Sequence, residues 1–374
     1  MGESTSYAYY LPLTLGNAIT SWKGVGRPWE TPYRVADLSA LNLSWHYNWW
    51  HTAGLFEDPI FVPMVSCVDY DNYAADIQAL AGQYHGRVWL VYNEPDMPAL
   101  CVNGTCTYIA CAQKVCETAV PGLPGAACTW PYTPTPTSTP FGGTITPIPT
   151  PTFLPGLTRA MARQAAERYA EIYTLIKETD PRAQVFCCGQ YYATGEVTAW
   201  WDAFLERVEE LRDGGQYPNL DIDGVTIHAY PWTDCTECRG WVGGWWSCMQ
   251  PKLTRYWNQV HQYAATWATP TYYELTLDKP LWITEIGYLG QPDWQLYGWV
   301  IPPTEQELRD RFMEELVNWF ESPDNPGYDA IAWFATRWIS DPELEKTYLY
   351  QGNLTTLKPL GVRWASYGTP TPGP

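Results

Sequence analysis

Positive charge is scarce in this chain of 374 residues: 22 lysines and arginines stand against 40 aspartates and glutamates, giving a formal net charge of −18. Such a surface repels a phosphate backbone, and no basic stripe offsets it, so nucleic acid is not an expected partner. No run of about 20 apolar residues occurs either, which argues against a membrane-spanning helix. The opening Met1-Gly2-Glu3-Ser4 lacks the basic and apolar regions of a secretory leader and reads as a start from which any leader has been removed. Histidines number five, with no His or carboxylate cluster at ligand spacing, so no metal or other cofactor is expected.

What the chain does have is aromatic surface and cysteine. With 22 Trp and 27 Tyr, it carries more flat amphipathic rings than a core of this size requires. Displayed Trp and Tyr suit neutral, hydroxyl-rich partners such as sugars. Eleven cysteines, five of them (Cys101, Cys106, Cys111, Cys116, Cys128) within one irregular stretch, favour disulfides and hence an exported or cell-surface protein. The odd total leaves at least one thiol unpaired, and spacing alone does not fix the connectivity.

Short β-branched and aromatic runs alternate with helical patterns, the rhythm of repeated β-α units around a parallel sheet. Eight such runs lie near Lys23 to Gly26, Ser44 to Trp49, Phe61 to Ser66, Val88 to Asn93, Gln184 to Gly189, Gly224 to His228, Leu281 to Glu285 and Ala330 to Ala335. The fold class they predict is an α/β (β/α)₈ TIM barrel. Helical spacing of Leu157, Met161, Ala165, Tyr169, Ile172 and Ile176 predicts a helix from Leu157 to Thr179, ended by Asp180-Pro181. Thr304 and Glu307 form a capping-box signature ahead of the stripe Leu308, Phe312, Leu316 and Phe320.

Residues 97–156 break the rhythm. Ten prolines fall between Pro121 and Pro155, with Thr-Pro repeats through Pro134 to Pro140, so this segment reads as an insertion after the fourth strand. Its cysteine-bearing half suggests a small disulfide-stapled lobe, or a bare spacer, and its second half a polyproline-like extension. Residues 1–22 then form an N-terminal extension, 23–367 the barrel domain and 368–374 a Thr/Pro tail. That tail has the chemistry of extracellular linkers and points to an additional module or surface anchor beyond it. A monomer is the expected assembly.

Two glutamates close predicted strands: Glu94 in Val91-Tyr92-Asn93-Glu94-Pro95-Asp96 and Glu285 in Trp282-Ile283-Thr284-Glu285-Ile286-Gly287. A parallel barrel brings the carboxyl ends of all its strands to one face, so carboxylates after the fourth and seventh strands can meet across a cleft. Glycosidic cleavage needs such a pair, one carboxyl protonated to assist the leaving oxygen and one ionised. A single Glu at a strand end is more often a rim residue or ion-pair partner, so the pair carries the reading.

These motifs resemble those of clan A glycoside hydrolases, where Asn-Glu-Pro after the fourth strand carries the acid/base and a Thr-Glu pair after the seventh the nucleophile. The resemblance looks closest to family 128, the endo-β-1,3-glucanase group with an Asl1-like catalytic core. It rests on Ser44-Trp45-His46-Tyr47-Asn48-Trp49, Phe61-Val62-Pro63-Met64, Asn93-Glu94-Pro95-Asp96, Asp223-Gly224-Val225-Thr226-Ile227-His228-Ala229-Tyr230, Trp333-Phe334 and Gly352-Asn353-Leu354-Thr355, over residues 23 to 367. The chain departs from it at Val65-Ser66-Cys67, where a Trp-Gly is usual, at Ala229, where a Trp is usual, and in the insertion.

The resemblance implies Glu94 as acid/base, Glu285 as nucleophile, and a group at the end of the sixth strand, for which Tyr230 is preferred, holding the nucleophile ionised. Asn93 is placed to bond the sugar 2-hydroxyl, or else caps a loop. Trp333 is expected as a platform beneath the sugar, against the alternative of a core ring. Trp45, Tyr47 and Trp49 share one strand face by the period of two, which leaves Trp49 nearest the cleft as a sugar contact. His228 reads as a substrate contact or a satisfied barrel histidine. Trp232, with Trp241, Trp245 and Trp246, reads as subsite lining. Cys235-Thr236-Glu237-Cys238 with Cys248 favours a disulfide over zinc, and Cys187 and Cys188 read as buried thiols. The expected function is retaining endo-hydrolysis of a β-linked polysaccharide, first a β-1,3-glucan. Hydrolysis or transglycosylation of xylan, mannan or mixed-linkage glucan and a non-catalytic carbohydrate-binding barrel are the alternatives.

Overall fold

A computed structural model describes residues 22–27, 38–52, 60–96, 100–102, 105–107, 155–190, 195–230, 245–261, 274–287, 304–337 and 344–367. Eight strand runs form where the β-branched and aromatic clusters lie. They are β1 (Lys23–Gly26), β2 (Trp45–Tyr47), β3 in two pieces (Ile60–Phe61 and Met64–Val65), β4 (Val88–Val91), β5 (Gln184–Gln190), β6 (Gly224–Ala229), β7 (Leu281–Ile286) and β8 (Ala330–Trp333). All pair in parallel, with the first piece of β3 at one end of the order and its second piece at the other.

Those two ends are one stretch of chain interrupted at Val62-Pro63. Pro63 has no N–H to give a ladder. Its carbonyl nonetheless accepts from Leu90 N–H at 2.8 Å, while Val62 N–H donates to His46 O at 2.8 Å. One half of β3 therefore bonds β2 and the other bonds β4, and the sheet curls round on itself as the expected TIM barrel.

Helices follow the strands on the outside: α1 (Cys67–Gln83), α2 (Pro155–Thr179), α3 (Gly195–Asp213) and α4 (Trp245–His261). A fifth helix, α5, runs through Glu305–Glu307, a π-wound Leu308–Met313 and Glu314–Phe320, and α6 is Pro359–Ser366. The capping box is present at the start of α5: Glu307 N–H donates to Thr304 Oγ1 at 3.2 Å and Thr304 N–H to Glu307 Oε2 at 2.9 Å. Its stripe of Leu308, Phe312, Leu316 and Phe320 is buried. Helix α2 begins at Pro155 and so takes the last two residues assigned to the insertion. Within that insertion an antiparallel hairpin pairs Leu100–Val102 with Thr105–Thr107 and sets Cys101 opposite Cys106. The Thr-Pro repeats, the C-terminal tail, Cys235 and Cys238 lie outside the described residues.

Period-two alternation sorts the strand residues into two cores. Trp45, Tyr47, Val62, Met64, Val88, Leu90, Phe186, Trp282, Ala330 and Ala332 fill the barrel interior. The alternate residues, among them Val91, Val225, Ile227, Ile283, Ile331 and Trp333, join the helices in the outer core. Full burial of one such large apolar side chain is worth about 1.5–3 kcal/mol. Cys187 and Cys188 also lie buried side by side in the outer core. No helix among the described residues is long and apolar enough to cross a membrane.

Candidate active site

The acidic pair lies at the carboxyl-terminal face of the barrel, and local backbone geometry aims both members inward. Strict alternation along β7 would turn Glu285 outward, because Trp282 is interior and Ile283 exterior. The register instead steps from Ile283 opposite Ile227 to Glu285 opposite His228, two residues against one. This bulge at Thr284 re-aims Glu285 into the barrel, a use bulges have beside active sites. Glu94 follows β4 in the left-handed region, with φ 50°, and its amide donates to Gly189 O at 2.8 Å.

Glu285 is 3% exposed and surrounded by donors. Tyr47 Oη approaches its Oε1 at 3.1 Å and also donates to Thr284 O at 2.8 Å, while Trp49 Nε1 donates to Oε1 at 2.6 Å. The Tyr230 hydroxyl donates to Oε2. His228 stands between the two carboxyls, with Nδ1 2.8 Å from Glu94 Oε1 and 3.3 Å from Glu285 Oε2. One oxygen of each glutamate and the His228 nitrogen all lie within 4.8 Å of one another. A cation could be shared at that spacing, but three side-chain donors already occupy the Glu285 oxygens, as they would around a carboxylate that must stay an anion.

Burial pushes the Glu94 carboxyl up to about 8. Burial also raises Glu285, and the neighbouring Glu94 adds to this, but the His228 ring and the Tyr230 and Trp49 hydrogen bonds oppose the rise. Among the described residues Glu94 has no comparable ring of donors, so a proton shared by the pair resides on Glu94. Burial lowers His228 against the opposing pull of Glu285, which favours a neutral ring. Its Nε2 is buried without a partner among the described residues, so the proton belongs on Nδ1, the nitrogen that faces acceptors. The phenols of Tyr47 and Tyr230 are raised well above the usual tyrosine range, by burial first and by Glu285 next, and stay protonated as donors.

The remaining expectations divide. Half-buried Asn93 presents an Oδ1 with no hydrogen-bond partner among the described residues, directly beside Glu94. Trp49, expected as a sugar contact, is half-buried and donates its indole N–H to Glu285. Trp333 is not a platform: it is fully buried, donates Nε1 to Thr347 O at 2.9 Å and packs on Phe312 and Trp364 at 5.9 and 5.7 Å. Ala330 and Ala332 point inward, so alternation sends Trp333 outward and brings Phe334 to the cleft. The Phe334 ring stands edge-on to Tyr230 at 5.9 Å and to Trp49 at 5.6 Å. Phe334 and Tyr47 are thus the residues that sequence reasoning passed over, and the alternation of β8 and β2 was the signal for both. Trp232 and Trp241 lie outside the described residues, as do the side chains of Trp245, Trp246 and Cys248.

A closed parallel barrel with two inward carboxylates, one encircled by donors and the other raised by burial, has the layout of a glycoside hydrolase. Family comparison agrees: the model described as the glycosyl hydrolase catalytic core matches residues 155–360, more than half of the chain. The chain belongs to that family and is a glycosidase. A search of curated proteins finds no match. Among solved structures the chain is similar to a family 128, subgroup II endo-β-1,3-glucanase from Pseudomonas viridiflava, with 20% identity over 92% of this chain and 98% of that one and a TM-score of 0.49. It is similar too to a family 128, subgroup V exo-β-1,3-glucanase from Cryptococcus neoformans, with 15% identity, coverage of 92% and 98% and a TM-score of 0.48. A third likeness is to xylanase 10C from Cellvibrio japonicus, with 11% identity, coverage of 92% and 66% and a TM-score of 0.42.

Proposed function

We propose that the protein is a retaining, endo-acting hydrolase of a β-linked glucan, with Glu94 as acid/base and Glu285 as nucleophile. The observation that carries this is the separation of the two carboxyls, whose facing oxygens lie within 4.8 Å. Retaining enzymes hold the pair about 5–5.5 Å apart, whereas inverting ones need about 6.5–9.5 Å to admit a water between substrate and base. Glu285 attacks the anomeric carbon as an anion while Glu94 gives its proton to the departing glycosidic oxygen. The resulting glycosyl ester on Glu285 is then cleaved by a water whose proton returns to Glu94. Tyr47, Trp49 and Tyr230 hold the Glu285 carboxylate, and Asn93 Oδ1 offers an acceptor to a sugar hydroxyl. His228 donates Nδ1–H between the two carboxyls and keeps their spacing.

The family 128 resemblance of the strand-end motifs favours β-1,3-glucan and endo action. The cysteine-rich insertion and Thr-Pro segments favour export. The test is release of reducing ends from β-1,3-glucan, mixed-linkage glucan, xylan and mannan by the parent, Glu94→Gln and Glu285→Gln proteins, with the anomeric form of the first product read by proton NMR. Release from β-1,3-glucan as the β-anomer, lost in both variants, is expected. An α-anomer first product would overturn retention, and undiminished activity in either variant would overturn its role.

A further inference from the structure

Period two places Thr226, His228 and Tyr230 on the inward face of β6 and its end, because Val225, Ile227 and Ala229 between them join the outer core. His228 and Tyr230 reach the two carboxyls directly. Thr226 lies one layer deeper and is 1% exposed. Its hydroxyl accepts the Gly189 N–H of β5 at 2.6 Å, in a buried contact.

That contact exists because β5 carries one residue too many for β6. Phe186 and Cys187 stand opposite Gly224 and Val225, but the next registered pair is Gln190 with Ile227, so three steps on β5 span two on β6. The surplus falls in Cys188-Gly189, where a bulge turns backbone groups out of the ladder, and the Thr226 hydroxyl meets the amide so turned. The Gly189 carbonyl in turn accepts the Glu94 N–H at 2.8 Å. The turn it holds is strained: Tyr92 and Glu94 are both non-glycine residues with left-handed backbone, φ 74° and 50°, a state that lasts only where the surroundings impose it. Gly189 has φ 59°, and a Cβ there would stand 3.1 Å from Tyr92 O and 3.3 Å from His228 Nε2, so its backbone fits closely against both the Glu94 turn and the His228 ring.

We propose that Thr226 is a positioning residue for the acid/base: its hydroxyl fixes the Gly189 amide, and the Gly189 carbonyl fixes the backbone turn that carries Glu94. The inference rests on the reading of Glu94 as the acid/base. One face of β6 then serves both carboxyls, with Tyr230 bonding Glu285, His228 standing between the pair and Thr226 acting on Glu94 through the backbone of β5. Valine at this position keeps the shape and the branching but offers no acceptor, and leaves the buried Gly189 N–H unsatisfied. Serine keeps the acceptor and loses only a methyl group.

Kinetics of two variants test it. Thr226→Val should lose kcat by roughly ten- to a hundredfold with little change in KM, since small misplacements of catalytic groups have costs of that order. Its alkaline pH limb should move to lower pH, as a loosened turn admits water to the Glu94 carboxyl. Thr226→Ser should recover most of the kcat and return the limb, whatever its Tm. A threonine of structural value alone would lower Tm in both variants and leave kcat and the limb in place. A folded Thr226→Val protein with the parent's kcat and limb therefore overturns the proposal, and so does a Thr226→Ser protein as slow as Thr226→Val. Should Thr226→Val not fold, Thr226→Ser decides, with amide hydrogen exchange read by NMR: near-parent kcat with the Gly189 and Glu94 amides protected supports the proposal, and a large loss of kcat or an unprotected amide at either residue overturns it. Glu94→Gln separates the two claims. An active Glu94→Gln protein defeats the acid/base reading, while an inactive one beside a normal Thr226→Val protein defeats only the role of Thr226.

Discussion

The Trp49 indole nitrogen donates to Glu285 Oε1 at 2.6 Å, which makes a residue of the second strand a direct partner of the carboxylate on the seventh. Trp49 reaches it from a left-handed backbone, φ 60°, with its ring 4.8 Å from that of Tyr47. A hydrogen bond to a charged group is worth about 1.5–3 kcal/mol, so Trp49→Phe should lower kcat roughly ten- to a hundredfold. Losing a donor to the anion raises the Glu285 carboxyl further, so the acidic limb of kcat/KM should shift to higher pH. A pH–rate profile checks both, and an unmoved acidic limb would show that the indole serves packing alone.

With Glu94 as the proposed acid/base, the alkaline limb of the rate profile should follow its carboxyl. Burial holds its carboxyl at about 8, so activity that needs its proton should persist through neutral pH and fall as pH rises through about 8. The same shift has a sign for stability. Between the ordinary glutamate range and pH 8 the folded state keeps a proton that the unfolded state has released, so stability contributed by this group falls as pH rises across that window. Glu94→Gln removes the titration. Its Tm relative to the parent should therefore climb from pH 5 to pH 8, and a constant difference across that range would count against a buried, protonated Glu94.

Phe334 and Trp333 should separate cleanly in kinetics and stability. Phe334→Ala removes the ring that stands against Trp49 and Tyr230 and should raise KM and lower kcat with the fold intact. Trp333→Phe keeps most of the outer-core volume but loses the bond to Thr347 O, at about 1 kcal/mol, and should lower Tm while leaving KM unchanged. The reverse pattern would put Trp333 back beneath the sugar.

Much of this was legible in the chain before its structure. All eight strand runs, the capping box at Thr304 and Glu307 and the pair Glu94 and Glu285 are local signals, carried by residues close together in sequence. The outward turn of Trp333 was equally legible, since Ala330 and Ala332 fix the parity of β8. The bulges were not. Nothing in Ile283-Thr284-Glu285 or Cys187-Cys188-Gly189 announces an extra residue, because a bulge is defined by the register of a strand far away in sequence. The bonds from Tyr47 and Trp49 to Glu285 are hidden for the same reason, as they span more than 230 residues.

Gly26 offers a test of how finely the surroundings of Glu285 are built. It ends β1 beneath the Trp49 ring, and a Cβ added there would lie 2.7 Å from Trp49 Cη2 and 3.2 Å from the Tyr47 hydroxyl. Both of those groups bond Glu285. Trp49 is half-buried and sits at the rim rather than in the packed interior, so its ring can tilt away from the new methyl. Overpacking of this kind typically costs about 1–3 kcal/mol, and here the ring that moves is the one donating to the carboxylate. Gly26→Ala should therefore fold, with a modestly lower Tm, and reproduce the kinetic signature of Trp49→Phe: reduced kcat and an acidic limb shifted upward. Combining the two substitutions should add little to either kinetic effect, because both act by withdrawing the same donor. Additive losses in the double variant would show instead that Gly26 acts on Glu285 through Tyr47.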